Sequence, residues 1–124
     1  MDAFVSPEVA APSGHYSHAV VSNGLVFLAG QAPLRRDGSV VDGDLGAQLG
    51  QVVRNLDAAA RSAGAELQRA VRICAYLSPR ADLAEYNRLY AELFDFISPP
   101  VRTTIRSEFT SFDVEVDAIL ELAA

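Results

Sequence analysis

The sequence contains no lysine and no tryptophan, and it has only one cysteine among its 124 residues. Its ten basic residues are therefore all arginines. The absence of lysine excludes Schiff-base catalysis, lysine-bound pyridoxal phosphate and a phosphate-binding loop with its lysine. The single Cys74 cannot form a disulfide within the chain, which fits a reducing compartment. Because Cys74 lies in a predicted strand, a packed thiol is favoured over a nucleophile.

Long apolar runs and targeting signals are also missing. The apolar runs at residues 19–21 and 25–29 are too short to span a bilayer, and no basic region precedes an apolar stretch at the N-terminus. We therefore expect a soluble, untargeted, cytoplasmic protein with no membrane partner. The net charge of −6 disfavours a nucleic-acid partner, because such binding depends on cations. His15 and His18 lack further donors at ligand spacing, so we expect no metal, and we expect no organic cofactor.

Hydrophobic periodicity predicts an α+β fold with the element order β-β-α-β-α-β-β in a single domain of residues 1–124. Residues 1–13 read as an extended lead-in with little structure of its own, and Asn23-Gly24 predicts a type I′ turn. The first helix begins after the N-cap Asp44 and stops at Gly64. The other predicted elements are strands at 18–21, 25–29, 69–77, 101–109 and 113–122 and a helix at about 82–96.

Two helices of this length can cover one face of a mixed four- or five-stranded sheet. The first hairpin, however, is apolar on both faces, since Leu25 and Phe27 alternate with Val26 and Leu28. The second face therefore needs a cover that this chain does not supply. We infer a homo-oligomer in which the sheets of neighbouring subunits meet.

The last two predicted strands each have one polar and one apolar face. If they pair as a hairpin, Arg102 and Arg106 share a face with Glu115, and that face is the one covered by a neighbour. One interpretation is a solvated face with weak ion pairs from the arginines to Glu108 or Asp117. The other is a site for an anion, because the arginine fork suits a carboxylate ligand.

Short motifs distributed from about residue 7 to residue 122 resemble, in the same order, the Rid family of reactive-intermediate deaminases, also called the YjgF family. The motifs are Gly14–Val20 (GHYSHAV), Ala29–Leu34 (AGQAPL), Asp82-Leu83 with Tyr86-Asn87 and Tyr90, Pro100–Thr103 (PVRT) and Val114–Ala118 (VEVDA). The resemblance implies a fold like that of the Bacillus-type chorismate mutase and a homotrimer with a site in each cleft between subunits. It also implies a substrate class, enamines and imines such as 2-aminoacrylate and 2-iminopropanoate, hydrolysed to 2-oxo acids and ammonia.

The resemblance also implies roles for individual residues. Arg102 resembles the family's carboxylate-binding arginine, and Glu115 resembles the acid that orients the attacking water. The residues that resemble the remaining lining of the cleft are Tyr16, Asn87, Gly30 through its backbone N–H, and Thr104 through its backbone carbonyl, at a position where the family often has cysteine. Taken without the family, Gly30 is favoured as the end of a strand. Hydrolysis of an imine needs a fixed substrate and a placed water, without a metal or a covalent intermediate.

Other features depart from the family pattern. Ala29 stands where serine is common, His15 and His18 replace residues that are more often proline or glycine and glutamine, and the connection at 108–113 is about two residues short. Two alternatives to the deaminase therefore stay open. One is a non-catalytic or specialised paralogue that binds a small carboxylate in a biosynthetic or regulatory role. The other is the RNA cleavage attached to some family members, which the acidic charge disfavours. Two opposed influences are expected on the pKa of Glu115: a nearby arginine lowers it, and desolvation in a cleft raises it.

Overall fold

A computed structural model describes residues 1–123 and shows two helices packed on one face of a six-stranded sheet. The strands are β1 (Asp2–Phe4), β2 (Ala19–Ser22), β3 (Leu25–Gln31), β4 (Ala70–Leu77), β5 (Val101–Arg106) and β6 (Val114–Glu121). Their order across the sheet is β1-β2-β3-β6-β4-β5, with β5 parallel to β4 and every other pair antiparallel. The α+β class and the mixed sheet are thus confirmed.

The helices are α1 (Leu45–Ser62) and α2 (Leu83–Phe94), and local chemistry sets their ends. The carboxylate of Asp44 accepts a hydrogen bond from the Ala47 N–H at 2.9 Å, and Gly64 adopts a φ of +73° after the last turn of α1. The apolar stripe of α1 is completely buried against the sheet and includes Leu49, Val52 and Leu56. Among residues 1–123, neither helix is both long enough and apolar enough to cross a membrane.

The structure differs from the predicted topology at both ends of the chain. Residues 2–4 form an edge strand against β2, within the segment expected to have little structure. The predicted hairpin of the last two strands is wrong, because β6 pairs with β3 and β4 and is separated from β5 by β4. The unit β4-α2-β5 is a parallel crossover, which returns β5 to the outer edge of β4.

This topology decides which side chains share a face of the sheet. We call the side that carries the helices the helix face and the other side the open face. Arg102 pairs with Ile73, which is fully buried under the helices, so Arg102 and, four residues on, Arg106 lie on the helix face. Glu115 pairs with Tyr76 on the open face. The expectation that the arginines share a face with Glu115 is therefore wrong within one chain.

No helix covers the open face in the described residues. Large apolar side chains on this face are accessible to solvent, with exposed fractions of 42% for Phe27, 45% for Ile105 and 70% for Val101. The side chain of Tyr76 also lies there, and its hydroxyl donates to the Asp117 carboxylate at 2.8 Å. An apolar sheet face left open in this way is typical of a surface that another molecule covers.

Candidate active site

The residues singled out in the sequence fall into two groups on opposite faces of the sheet. We call Arg102 with Asn87, Tyr86 and Tyr90 the arginine half-site. We call Glu115 with Gly30, Tyr16 and Phe112 the glutamate half-site.

Arg102 projects from β5 toward α2, where three side chains position its guanidinium. One guanidinium nitrogen, Nη2, donates to the Asn87 side-chain oxygen at 2.8 Å. The guanidinium carbon lies 4.8 Å from the centre of the Tyr90 ring and 5.7 Å from that of Tyr86. Residues 86, 87 and 90 lie together on α2 because of the helical repeat. The arginine is thus oriented by an amide and two aromatic faces.

The guanidinium of Arg102 has no carboxylate partner within residues 1–123. Asp117, one of the two acids considered as its partner, lies on the open face and accepts a hydrogen bond from Tyr76. Arg102 is itself exposed, and its remaining N–H donors are available to an anion. The half-site therefore has the chemistry of a receptor for a carboxylate.

The tyrosines under Arg102 are neutral phenols. Burial raises the pKa of both Tyr86 and Tyr90, and the nearby Arg102 charge only partly offsets it. Their hydroxyls and that of Thr104 are buried without a hydrogen-bond partner in the described part of the chain. Thr104 lies on the same face of β5, two residues beyond Arg102. The sequence motifs include both tyrosines but assign them no contact with Arg102, because a motif carries no information on what packs above its residues.

Glu115 lines a cavity of about 240 Å³ together with Tyr16, Gly30 and Phe112. Its carboxylate is half-buried. Desolvation raises the pKa of Glu115 above its usual value, and the negative charge of Asp117 adds to the effect. Of the two opposed influences expected from the sequence, the raising one prevails in the single chain.

Gly30 allows the carboxylate of Glu115 to lie directly against the backbone of β3. A Cβ at position 30 would be only 2.7 Å from Glu115 Oε2. The pairing of β3 with β6 is irregular between Leu28 and Gln31, and β3 continues through residue 30. The interpretation of Gly30 as a strand end is therefore wrong. The glycine lies inside the strand, where the absence of a side chain leaves room for the Glu115 carboxylate.

The N-terminal segment is pinned beside this cavity by His18. The buried imidazole accepts a hydrogen bond from the Ser6 N–H through Nδ1 at 2.9 Å, so that Nε2 donates to the Ala10 carbonyl at 3.0 Å. Further along, the Tyr16 hydroxyl accepts from the Ser13 N–H at 3.3 Å. His18 therefore has a structural role, and no group of three or more potential metal ligands occurs within residues 1–123.

The connection between β5 and β6 brings in Phe112, which sequence reasoning missed. Arg80 holds this loop by donating to the carbonyls of Phe109 at 3.1 Å and Phe112 at 3.2 Å. The two phenylalanine rings pack with centroids 4.5 Å apart, and Phe112 lines the Glu115 cavity. A short loop has no periodicity, so the sequence carried no signal beyond its two aromatic residues. Arg106 is not part of either half-site, because it donates to the carbonyls of Ser78 and Ala81 in the connection between β4 and α2.

The structure thus brings Arg102 together with Asn87 and places Thr104 beside them, and it separately brings together Tyr16, Gly30 and Glu115. Within one chain, the two half-sites lie on opposite faces of the sheet. A small ligand cannot contact both in a monomer.

Comparison with known proteins identifies the family. The family model described as Endoribonuclease L-PSP matches residues 7–122. The RutC family protein PH0854 of Pyrococcus horikoshii is 35% identical over 111 residues, which cover 87% of each chain. The mitochondrial protein mmf2 of Schizosaccharomyces pombe is 37% identical over 93 residues, covering 74% of this chain and 71% of that protein. Because relatives include a mitochondrial protein, the cytoplasmic location stays a prediction.

The fold agrees with the same assignment. The crystal structure of YyfA from Yersinia pestis, a protein of unknown function of the conserved Rid family, superposes with a TM-score of 0.89 at 26% identity and covers 98% of both chains. The match of the family model over nearly the whole chain, together with these relatives, shows that the protein belongs to the Rid family, also called the YjgF or L-PSP family.

Proposed function

We propose that the protein hydrolyses reactive imines and enamines of small 2-amino acids, of the 2-iminopropanoate and 2-aminoacrylate type, to 2-oxo acids and ammonia. The observation that carries the proposal is Arg102, an exposed guanidinium that is oriented by Asn87 and two tyrosine rings and has no carboxylate partner within residues 1–123. A guanidinium held in this way is preorganised to bind the substrate carboxylate through two parallel hydrogen bonds.

The proposed site is composite. Arg102 and Glu115 lie on opposite faces of one sheet, so a ligand that uses both must lie between the arginine half-site of one subunit and the glutamate half-site of another. The exposed apolar residues of the open face, such as Phe27 and Ile105, supply a surface for that association. A closed ring gives every subunit the same two neighbours, and we propose the homotrimer implied by the family.

Glu115 has the properties required for the chemical step. Its raised pKa brings the exchange between carboxylate and carboxylic acid closer to neutral pH. As a carboxylate it takes a proton from water while the water oxygen bonds to the carbon of the protonated imine and the C=N electron pair moves to nitrogen, which produces a neutral carbinolamine. As an acid it returns that proton to the carbinolamine nitrogen, and the C–N bond then breaks. As the C=O bond forms, the Glu115 carboxylate takes the hydroxyl proton and passes it to the departing ammonia, which leaves as ammonium. An enamine enters the same sequence after protonation at carbon gives the imine.

The remaining residues of the half-sites shape this step. Tyr16, Gly30 and Phe112 line the Glu115 cavity. Closure of this cavity by a neighbouring subunit would keep the attacking water close to the carboxylate and strengthen the electrostatic interactions within it. None of these steps uses a metal, a redox cofactor or a covalent bond to the protein.

The test is an imine-trapping assay. An amino-acid oxidase with catalase generates 2-iminopropanoate from alanine, and semicarbazide competes with the protein for it, so that deaminase activity lowers the yield of semicarbazone. We expect the wild type to suppress trapping and Arg102→Ala to reduce this activity at least about a hundredfold, since the charged contact to the carboxylate is lost. Arg102→Lys keeps the charge but loses the fork and should recover only part of it.

The matched control is Arg88→Ala, which removes an exposed arginine of α2 that pairs with Glu92. This variant should retain activity. Wild-type protein that does not suppress trapping, or an Arg102→Ala variant as active as Arg88→Ala, would contradict the proposal. Saturable binding of pyruvate without turnover would instead favour the non-catalytic carboxylate binder. The negative net charge continues to disfavour RNA as the substrate.

A further inference from the structure

A groove beside Arg102 is not used by the chemistry described above. It has a volume of about 330 Å³ and is lined by Tyr90, Ala91, Phe96 and Pro99, together with the exposed Asn87, Asp95 and Arg102. Ligand pockets begin at roughly this size, about 300 Å³. The methyl group of 2-iminopropanoate would fill only a small part of it.

The walls of the groove are the outer members of an aromatic cluster. The Phe96 ring stacks on the buried Phe94 ring at 5.2 Å, and the Tyr90 ring lies 4.7 Å from Phe94 and 6.2 Å from Phe96. Tyr90 and Phe96 are only partly buried, whereas Phe94 is 3% exposed. The core thus supports two aromatic faces that remain open to the groove.

The loop that carries Phe96 is fixed by its own hydrogen bonds. Asp95 ends α2 in the left-handed region at φ +48°, which turns the chain back so that Phe96 stacks on Phe94. The Gln68 amide donates to the carbonyls of Phe94 at 2.9 Å and Asp95 at 3.3 Å, and it accepts from the Ile97 N–H. The groove is therefore preformed, which reduces the entropy lost on binding.

We propose that this groove binds the side chain of the substrate and selects 2-imino acids with a large apolar side chain, aromatic ones above all. The inference rests on the proposed function, because it takes Arg102 as the carboxylate anchor. Arg102 and the apolar residues line the same groove, so a ligand held by its carboxylate has them within reach, and the Asp95 carboxylate in that lining repels a second negative charge. Imines of phenylalanine and leucine are thus favoured over those of alanine and glutamate.

The experiment measures a ratio, kcat/KM for the imine of phenylalanine over kcat/KM for the imine of alanine, in the trapping assay. We expect the ratio to exceed one in the wild type. Ala91→Leu fills the groove from an exposed position of α2 and should lower the ratio about tenfold or more, which is the range that one or two apolar groups provide in a specificity pocket. Phe96→Ala removes one aromatic side of the groove and should lower the ratio as well.

Ala84→Leu is the matched control, since it makes the same substitution at another exposed position of α2, outside the groove. An unchanged ratio in Ala91→Leu, with alanine imine still hydrolysed, overturns the side-chain inference and leaves the proposed function intact. A change of oligomeric state in Ala91→Leu alone, measured by sedimentation, also overturns it, because a neighbouring subunit then occupies the groove.

If the wild type hydrolyses no imine, the proposed function fails while the groove remains testable by calorimetry. Tighter binding of phenylpyruvate than of pyruvate, with the difference lost in Ala91→Leu but kept in Ala84→Leu, supports the inference. Equal affinities for the two acids overturn it.

Discussion

Replacing Gly30 with alanine should reduce the proposed imine hydrolysis without unfolding the protein. The new Cβ would lie 2.7 Å from Oε2 and 3.2 Å from Cδ of Glu115. Unbonded atoms of this kind are in comfortable contact only beyond about 3.4 Å, so the carboxylate must move by roughly 0.5–1 Å. The backbone can accept alanine, because Gly30 is not among the glycines with positive φ.

The size of the effect follows from this displacement. A misplacement of about 1 Å in a catalytic group costs on the order of a hundredfold in rate. We therefore expect Gly30→Ala to lower kcat/KM by about 10- to 100-fold. Stability should change little, because an alanine in a permitted conformation gains about 0.4–1 kcal/mol through the unfolded state, which offsets the contact. The diagnostic result is lost activity at an unchanged or higher melting temperature.

Two controls assign the loss to Glu115. Gly50→Ala, in the middle of α1, brings the new Cβ no closer than 3.5 Å to its nearest neighbour and should leave activity intact. In a Glu115→Gln background, Gly30→Ala should cause little further loss, because both changes act through one carboxylate. A displaced and better-solvated Glu115 should also have a lower pKa, so the acid limb of the rate profile should move to lower pH.

Three outcomes would refute this reasoning. Full activity in Gly30→Ala would show that the position of the Glu115 carboxylate does not matter. Additive losses in the double variant would show that Gly30 acts through another group. A large fall in melting temperature would show that residue 30 is needed for folding, and the loss of activity would then carry no information on Glu115.

Further predictions concern pH, packing and assembly. Asp117→Asn removes the charge that helps to raise the pKa of Glu115, so the acid limb of kcat/KM should shift to lower pH in a pH-rate profile. Burial opposes ionisation of Asp113, but hydrogen bonds from surrounding side chains hold its pKa below the usual value. The stability from this carboxylate is present above its unfolded pKa of about 3.9 and lost as pH falls through the lower folded pKa, so urea midpoints of Asp113→Asn and wild type should differ at pH 7 and converge in acid. His18→Ala should lose about 1–3 kcal/mol in urea unfolding, from two buried hydrogen bonds, and become protease-sensitive near its N-terminus. Phe27→Asp places a charge on the open face and should yield monomers in sedimentation and a parallel loss of imine hydrolysis, whereas an active monomer would contradict the composite site.

Local features of this fold could be predicted from the sequence because they depend on residues close in the chain. Asp44 and Gly64 bound α1 as predicted, and Asn23 and Gly24 take the positive φ values of the predicted turn. The edge strand β1 could not be predicted, because three residues are too few to show a hydrophobic period. Their pairing depends on β2, about 17 residues further along the chain. The sequence of β1 shows only that the segment can be extended.

The sequence predicted which residues form the site better than it predicted their arrangement in space. Motif positions identified Arg102 and Asn87, and the structure joins them by a hydrogen bond. The same motifs say nothing of the distance between Arg102 and Glu115. The Phe112 wall and the tyrosine faces below Arg102 were missed as site features, because both depend on contacts between elements that the sequence does not order in space.

The error about faces has a physical cause that also bears on function. Alternation along a strand divides its residues into two sets, but pairing decides which set lies under the helices. For β6, between two strands, the apolar set faces the helices, as expected. For β5, at the sheet edge, the polar set with Arg102 faces α2, and the apolar Val101 and Ile105 face outward. An edge strand whose apolar side points away from its own core exposes that side to water, which is unfavourable. Association with a second sheet would bury the exposed apolar surface. The same inversion puts Arg102 on the face opposite Glu115. The proposed assembly of subunits would therefore both bury the apolar side of β5 and complete the proposed composite site.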